Sequence, residues 1–255
     1  MAKYQKEKIT LSNKFVVVRL NQTILLFLLL LVGCQSRNIQ PKSTGTLYFP
    51  LKVGAFWIYS VVETSITQLG GQTNTMYQLK LLLTDSAAAS GAITYVMQRF
   101  KRADASQPWS SIATWSARKE PFQAVVQEGN IPYVRLAFPL TEGKTWDGNA
   151  LNNLGGTDRC PNGTFSCDNY RVTDLAKRFE GTGVSFDDSV TILENNDNDP
   201  IVKQDVRKST YAKSIGLVYH EITILEYCTI GNCIGKQIVE NGTILKQTLN
   251  NYGGL

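Results

Sequence analysis

Runs of alternating or β-rich residues recur along this 255-residue chain, and each is stopped by a short turn signal. They include Phe56 to Ile66, Met76 to Leu83, Ile93 to Phe100, Gln123 to Gln127, Tyr133 to Phe138, Ser189 to Leu193, Gly216 to Tyr227 and Thr243 to Leu249. Between them lie Gly70-Gly71, Ser90-Gly91, Gly129-Asn130, Gly155-Gly156 and Asn241-Gly242. Successive side chains of a strand point to opposite faces, so this pattern specifies hairpins that bury one face and wet the other. No stretch sustains a helical period; Leu175 to Phe179 is where one turn or a short helix is expected. The predicted class is all-β: mainly antiparallel sheet, curved or sandwich-like, with at most a short helix.

An internal repeat bears on how the sheet is organised. Phe49-Pro50-Leu51 to Gly54 and Trp57 recurs as Phe138-Pro139-Leu140 to Gly143 and Trp146, the pattern F-P-L-x-x-G-x-x-W. Proline belongs at a strand start, glycine permits a positive φ, and tryptophan brings a large apolar face onto the sheet. The motif reads as a turn into a strand whose tryptophan enters the core, and two copies fit pseudo-duplicated sheets in one domain. Trp57 and Trp146 as a ligand platform, for sugar or lipid, is the competing reading.

Ahead of these runs lies an export signal. Lys3, Lys6, Lys8, Lys14 and Arg19 against Glu7 form a positive start, followed by an apolar core from Ile24 to Leu31 that suits a signal peptide. That core is shorter than the roughly 20 apolar residues needed to cross a bilayer. The sequence Leu31-Val32-Gly33-Cys34 resembles the lipobox of bacterial lipoproteins, in which the cysteine is acylated and becomes the first residue. The resemblance implies a signal peptide over 1–33 and lipidation (palmitate included) at Cys34; the polar stretch with Pro41, Ser43 and Gly45 then reads as a tether over 34–46, and the strand-like runs as one β-rich domain over 47–255. Gln35 after the cysteine favours the outer membrane. Without the leader, 21 basic residues face 20 acids, a net charge of +1, and no basic face for nucleic acid is expected. The densest basic run, Arg99-Phe100-Lys101-Arg102, reads as a solvated strand end.

Four further cysteines fall as close pairs, Cys160 with Cys167 and Cys228 with Cys233. In an oxidising compartment such pairs point to local disulfides across turns, although other pairings of four cysteines remain open. A zinc site fits poorly, because His220 is the sole histidine and neither spacing is C-x-x-C; no metal and no cofactor are expected.

Catalytic patterns are weak, and no catalytic residue is assigned. His220 sits in an alternating run without a G-x-S-x-G nucleophile motif, and reads as a strand histidine facing solvent or a neighbour. Asp187-Asp188 and Glu142 with Asp147 are carboxylate pairs of unknown separation, which leaves glycan chemistry as a third-ranked alternative. Asn195 to Asp199 lacks the glycine and glutamate of a calcium loop and reads as a tight turn between Val190–Leu193 and Ile201-Val202. Asp85-Ser86-Ala87 and Asp188-Ser189-Val190 are similar to the short O-glycosylation signal of Bacteroidetes envelope proteins, which would make Ser86 and Ser189 surface sites.

Tyr48 to Gly54 before Trp57-Ile58-Tyr59, Phe138 to Asn149, and Tyr211-Ala212-Lys213-Ser214-Ile215-Gly216-Leu217-Val218-Tyr219 resemble recurring blocks of uncharacterised lipoproteins from Bacteroidetes. That resemblance implies an envelope location and a β-rich fold, with no activity or site residues to carry over. The expected role is binding or structural, in partnership with the membrane through the anchor and with an envelope protein. A carrier of lipid or another hydrophobic ligand in a curved-sheet cavity is the alternative.

Overall fold

A computed structural model describes residues 44–68, 71–89, 91–152, 168–181 and 183–255. The leader, Cys34, Cys160 and Cys167 lie outside the described residues.

The described residues from Thr44 onward build one antiparallel sheet of twelve strands in the order β6-β5-β4-β3-β2-β1-β12-β11-β10-β9-β8-β7. The first half comprises β1 (Phe56–Ile66), β2 (Gln72–Ala89), β3 (Ala92–Arg102), β4 (Ser110–Lys119), β5 (Gln123–Glu128) and β6 (Ile131–Ala137). The second comprises β7 (Thr145–Asp147), β8 (Asn169–Gly181), β9 (Val184–Asp199), β10 (Lys203–Ala212), β11 (Gly216–Tyr227) and β12 (Val239–Gly253). Each half is a six-stranded meander, and the two join where β1 pairs β12 along Phe56–Ile66. The sheet is curved back on itself into a nearly closed barrel, so of the two forms expected the curved one is adopted.

Each half begins with one copy of the repeat, and the copies fold alike. Gly54 and Gly143 take φ of +89° and +75°. The Gly54 amide donates to Leu83 O and the Leu83 amide returns a bond to Ala55 O; the Gly143 amide donates to Val172 O, and the Val172 amide to Lys144 O. Both indole N–H groups also find backbone carbonyls. Trp57 Nε1 donates to Ile215 O at 2.6 Å, and Trp146 Nε1 to Val134 O at 2.8 Å. Tryptophan at this place therefore ties the strand it starts to a segment distant in sequence.

The second of those bonds closes the barrel. β6 and β7 share no ladder, yet Val134 donates its amide to Gly148 O, just past β7, at 2.8 Å and accepts from Trp146 with its carbonyl. Trp57 is buried and Trp146 half-buried with its edge against Tyr170, so both indoles pack with the core.

Two local expectations are corrected. Leu175 to Phe179 is not helical; it belongs to β8, where Ala176 has φ of +55° and register shifts follow Val172, Leu175 and Lys177. Asn195 to Asp199 is not a turn but the end of β9, and the chain reverses over residues 200–202. Among the described residues no helix is long and apolar enough to cross a membrane.

Candidate functional site

Inside the barrel lies a cavity of about 380 Å³. Its apolar part follows from alternation on neighbouring strands: β2 sends in Leu81, Leu79 and Tyr77, β3 sends in Met97 and Arg99, and β4 adds Trp115. The segment before β1 floors it with Phe49, Pro50 and Leu51, beside Trp57 and Tyr59. Tyr59 donates its hydroxyl to Leu217 O at 3.0 Å, so it turns an apolar ring to the cavity.

The opposite wall is polar and is arranged by two β-bulges. Arg135 is the extra residue where β6 pairs β5, between the pairs Ala124–Leu136 and Val125–Val134. Glu194 is the extra residue of β9 opposite Arg207 and Lys208 of β10. A bulge leaves its residue outside the ladder and re-aims the side chain, which here sends one cation and one acid toward the interior. Arg135 Nη1 donates to Glu194 Oε2 at 3.2 Å and to the Tyr170 hydroxyl at 3.0 Å, while Nη2 donates to Glu128. Burial alone would favour the neutral guanidine, but Glu128, Tyr170 and Glu194 hold Arg135 well above its ordinary value. Burial likewise opposes the charged Glu194, and Arg135 foremost among its neighbours keeps that carboxyl below the usual range.

Ser209 donates its hydroxyl to Glu194 and sits 2.9 Å from His220 Nδ1. With its proton on the carboxylate, the Ser209 hydroxyl is held by Glu194 rather than activated by the imidazole as a base would. His220 lines the cavity, and burial holds its pKa below the ordinary value. The expectation of a strand histidine facing a neighbour is met, with Ser209 as that neighbour.

The basic run of β3 departs from its expected solvated role. Each of its cations covers a ring: Arg99 Cζ lies 3.7 Å from the Trp115 centroid, Lys101 Nζ 3.7 Å from that of Tyr77, and Arg102 Cζ 4.2 Å from that of Trp109. Arg99 also has a buried Nε without a hydrogen-bond partner among the described residues. Such a group costs about 1–3 kcal/mol relative to its bonded state. Burial lowers its pKa, against the pull of Glu128.

Several expected sites fall elsewhere. Asp187 pairs with Arg178, Asp188 with Lys213 and Tyr48, and the Asp147 carboxylate accepts from the Asn149 amide; none of them lines the cavity. Ser86 is exposed on β2. Ser189 is corrected: it is buried and donates its hydroxyl to Lys177 O at 2.8 Å, so it offers no surface hydroxyl. Cys228 and Cys233 form a disulfide between β11 and β12, on a segment that exposes Ile230, Ile234 and Ile238. No group of three or more His, Cys, Asp or Glu suited to a metal exists among the described residues.

Sequence reading missed Arg99, Glu128, Arg135, Glu194 and Ser209. The bulges that aim Arg135 and Glu194 leave no mark in the alternation, whereas Arg99 two residues after Met97 on one strand face was a usable signal.

The sequence matches no family model and no curated protein. Two solved structures are similar to it. One is a Bacteroides fragilis protein named as exported and as having a YmcC-like fold; it is 13% identical, spans 81% of this chain and 99% of its own, and superposes with a TM-score of 0.41. The other, a Parabacteroides distasonis protein named as a lipoprotein, is 10% identical, spans 83% of this chain and 100% of its own, and superposes with a TM-score of 0.37.

Proposed function

We propose that this chain is a lipid-anchored protein of the cell envelope whose barrel interior binds a small, largely apolar ligand. The anchor rests on the charged start, the apolar core and Leu31-Val32-Gly33-Cys34. The binding role rests on the cavity, whose volume falls within the roughly 300–1,000 Å³ common for small-molecule sites. Its lining has the composition of such sites, mostly aliphatic and aromatic side chains with a few convergent polar groups. The polar wall has the marks of a scaffold rather than of an acid–base pair, since Glu128 and Glu194 share one guanidinium. General acid chemistry needs one carboxyl raised toward neutrality, and Glu194 is lowered.

Native mass spectrometry of the detergent-extracted full chain tests this reading. The expected result is a co-purifying small molecule on the wild type that is lost from Met97→Trp, a substitution that fills the cavity and leaves the strand intact. A bare protein mass for the wild type, or an adduct that survives Met97→Trp, overturns the binding role. Metabolic labelling with an alkyne fatty acid tests the anchor separately: label on the wild type and none on Cys34→Ser is expected.

Docking of a protein partner is a second reading, supported by Ile230, Ile234 and Ile238 exposed on the disulfide-closed segment. Mild crosslinking in intact envelopes that yields the monomer alone counts against it.

A further inference from the structure

The cavity is graded in polarity along β3, and the grade indicates which ligand it takes. Met97, Arg99 and Lys101 share one face of that strand by alternation. Across the ladder with β2, Met97 lies opposite Leu83, Arg99 opposite Leu81 and Lys101 opposite Leu79, and Met97 is buried. Arg99 comes next, stacked on Trp115, and Lys101 follows over Tyr77. The wall ends there, since β3 stops at Arg102 opposite Gln78 while β2 continues to Gln72 beside β1. The β3 side of the cavity thus passes from a buried thioether to two cations at a notch in the barrel, facing an apolar β2 wall.

Of the two cavity arginines, Arg135 is hydrogen-bonded to two carboxylates, Glu128 and Glu194. Arg99 is hydrogen-bonded to neither; its face is occupied by an indole and its Nε is buried and unpartnered. A guanidinium held against a ring by its face keeps N–H groups that a planar oxyanion can meet.

Resting on the ligand-binding reading above, we propose that the ligand is a single-chain amphiphile with a terminal carboxylate, its chain against Met97 and Val126 and its head on Arg99. The Arg99 side chain has no hydrogen bond or ion pair among the described residues, so the head supplies a partner for its guanidinium, and Lys101 at the edge draws the anion in. A diacyl lipid is too large for this volume, and an uncharged chain would cover the Arg99 guanidinium without pairing its charge.

Photolabelling tests this on the full chain in isolated envelope membranes, using a diazirine-bearing decanoic acid and the matching diazirine-bearing decanol. Each probe is crosslinked and the labelled peptides are mapped by mass spectrometry. The expected result is labelling of the segments around Leu81, Met97 and Trp115, with the acid favoured over the alcohol by about tenfold or more, as a charge-assisted hydrogen bond implies. Arg99→Met keeps the packing on Trp115 and is expected to abolish that preference while the alcohol still labels. Equal labelling of the wild type by both probes overturns the carboxylate assignment and leaves the binding cavity standing. Labelling of these segments by neither probe overturns the binding reading itself. The acid-to-alcohol ratio on the wild type needs no variant, so a misfolded Arg99→Met does not blunt the test.

Discussion

Arg135 illustrates how one buried side chain can organise a barrel interior. Its guanidinium bridges Glu128 of β5 and Glu194 of β9, strands that lie far apart in the sheet order and meet only across the lumen. Removing one member of a buried pair leaves an uncompensated charge, which costs about 3–5 kcal/mol. Arg135→Met is therefore expected to lower the unfolding free energy by about that amount, read from urea denaturation. Replacing Glu194 and Arg135 together with apolar residues should cost less than Arg135→Met alone. His220, beside Ser209 in the same network, sets a pH dependence. Its folded pKa is lowered by burial, so below the ordinary value of about 6.5 the unfolded chain takes up a proton that the folded one refuses. Stability should fall as pH drops through that window. Glu194 adds a loss at lower pH, because a lowered carboxyl contributes stability above its unfolded value of about 4.3 that disappears as it is protonated. His220→Asn should flatten the change in urea midpoint between pH 7.5 and 5.5 while leaving the loss below the carboxylate range; an unchanged slope would show that His220 titrates freely.

Among the elements, the repeated turn is the one whose folding the sequence already contained. Both copies place glycine at positive φ, and nothing lies within 4 Å of a Cβ added at Gly54 or Gly143. Gly54→Ala and Gly143→Ala should thus cost only backbone strain, about 1–2 kcal/mol each and equal for the two halves, measured by denaturation. The disulfide between β11 and β12 closes a loop with a sequence separation of 5, for which chain entropy gives about 2 kcal/mol; Cys228→Ser with Cys233→Ser is expected to lose that much. Strands were legible where aliphatic residues alternate: Phe56 to Ile66 and Gly216 to Tyr227 are β1 and β11 residue for residue. β4 and β10 were not, since Ser110–Lys119 is rich in serine and alanine and Lys203–Ala212 in charge. Their inner faces carry Trp115, Ser209 and Tyr211, which serve the cavity rather than a uniform core. In β8 three register shifts and the left-handed Ala176 break the two-residue period, and the remaining spacing imitates a helix. The apolar half of the cavity was foreshadowed by aromatic content; the charged half depends on bulges, which only pairing reveals.

At the scale of the whole molecule, the two meanders are joined by unequal seams. β1 and β12 pair along the full length of β1, from Phe56 to Ile66. The facing seam between β6 and the β7 region is held by Val134, through its amide to Gly148 O and its carbonyl to the Trp146 indole, and across the lumen by Arg135 on Glu194. Opening at the second seam breaks far fewer backbone bonds, so it is the lower-energy opening of the barrel and the one that would widen access to the cavity. Amide hydrogen exchange should accordingly show Val134 exchanging faster than the amides that pair β1 with β12, such as that of Val62. Trp146→Phe keeps an aromatic face against Tyr170 and deletes the indole N–H, worth about 1 kcal/mol, or about fivefold in the opening equilibrium. The Val134 amide should exchange faster by that factor in the variant, with Val62 unchanged. If both amides accelerate together, the barrel opens only by global unfolding and the two seams are energetically one unit; if neither does, the Trp146 bond does not hold the seam.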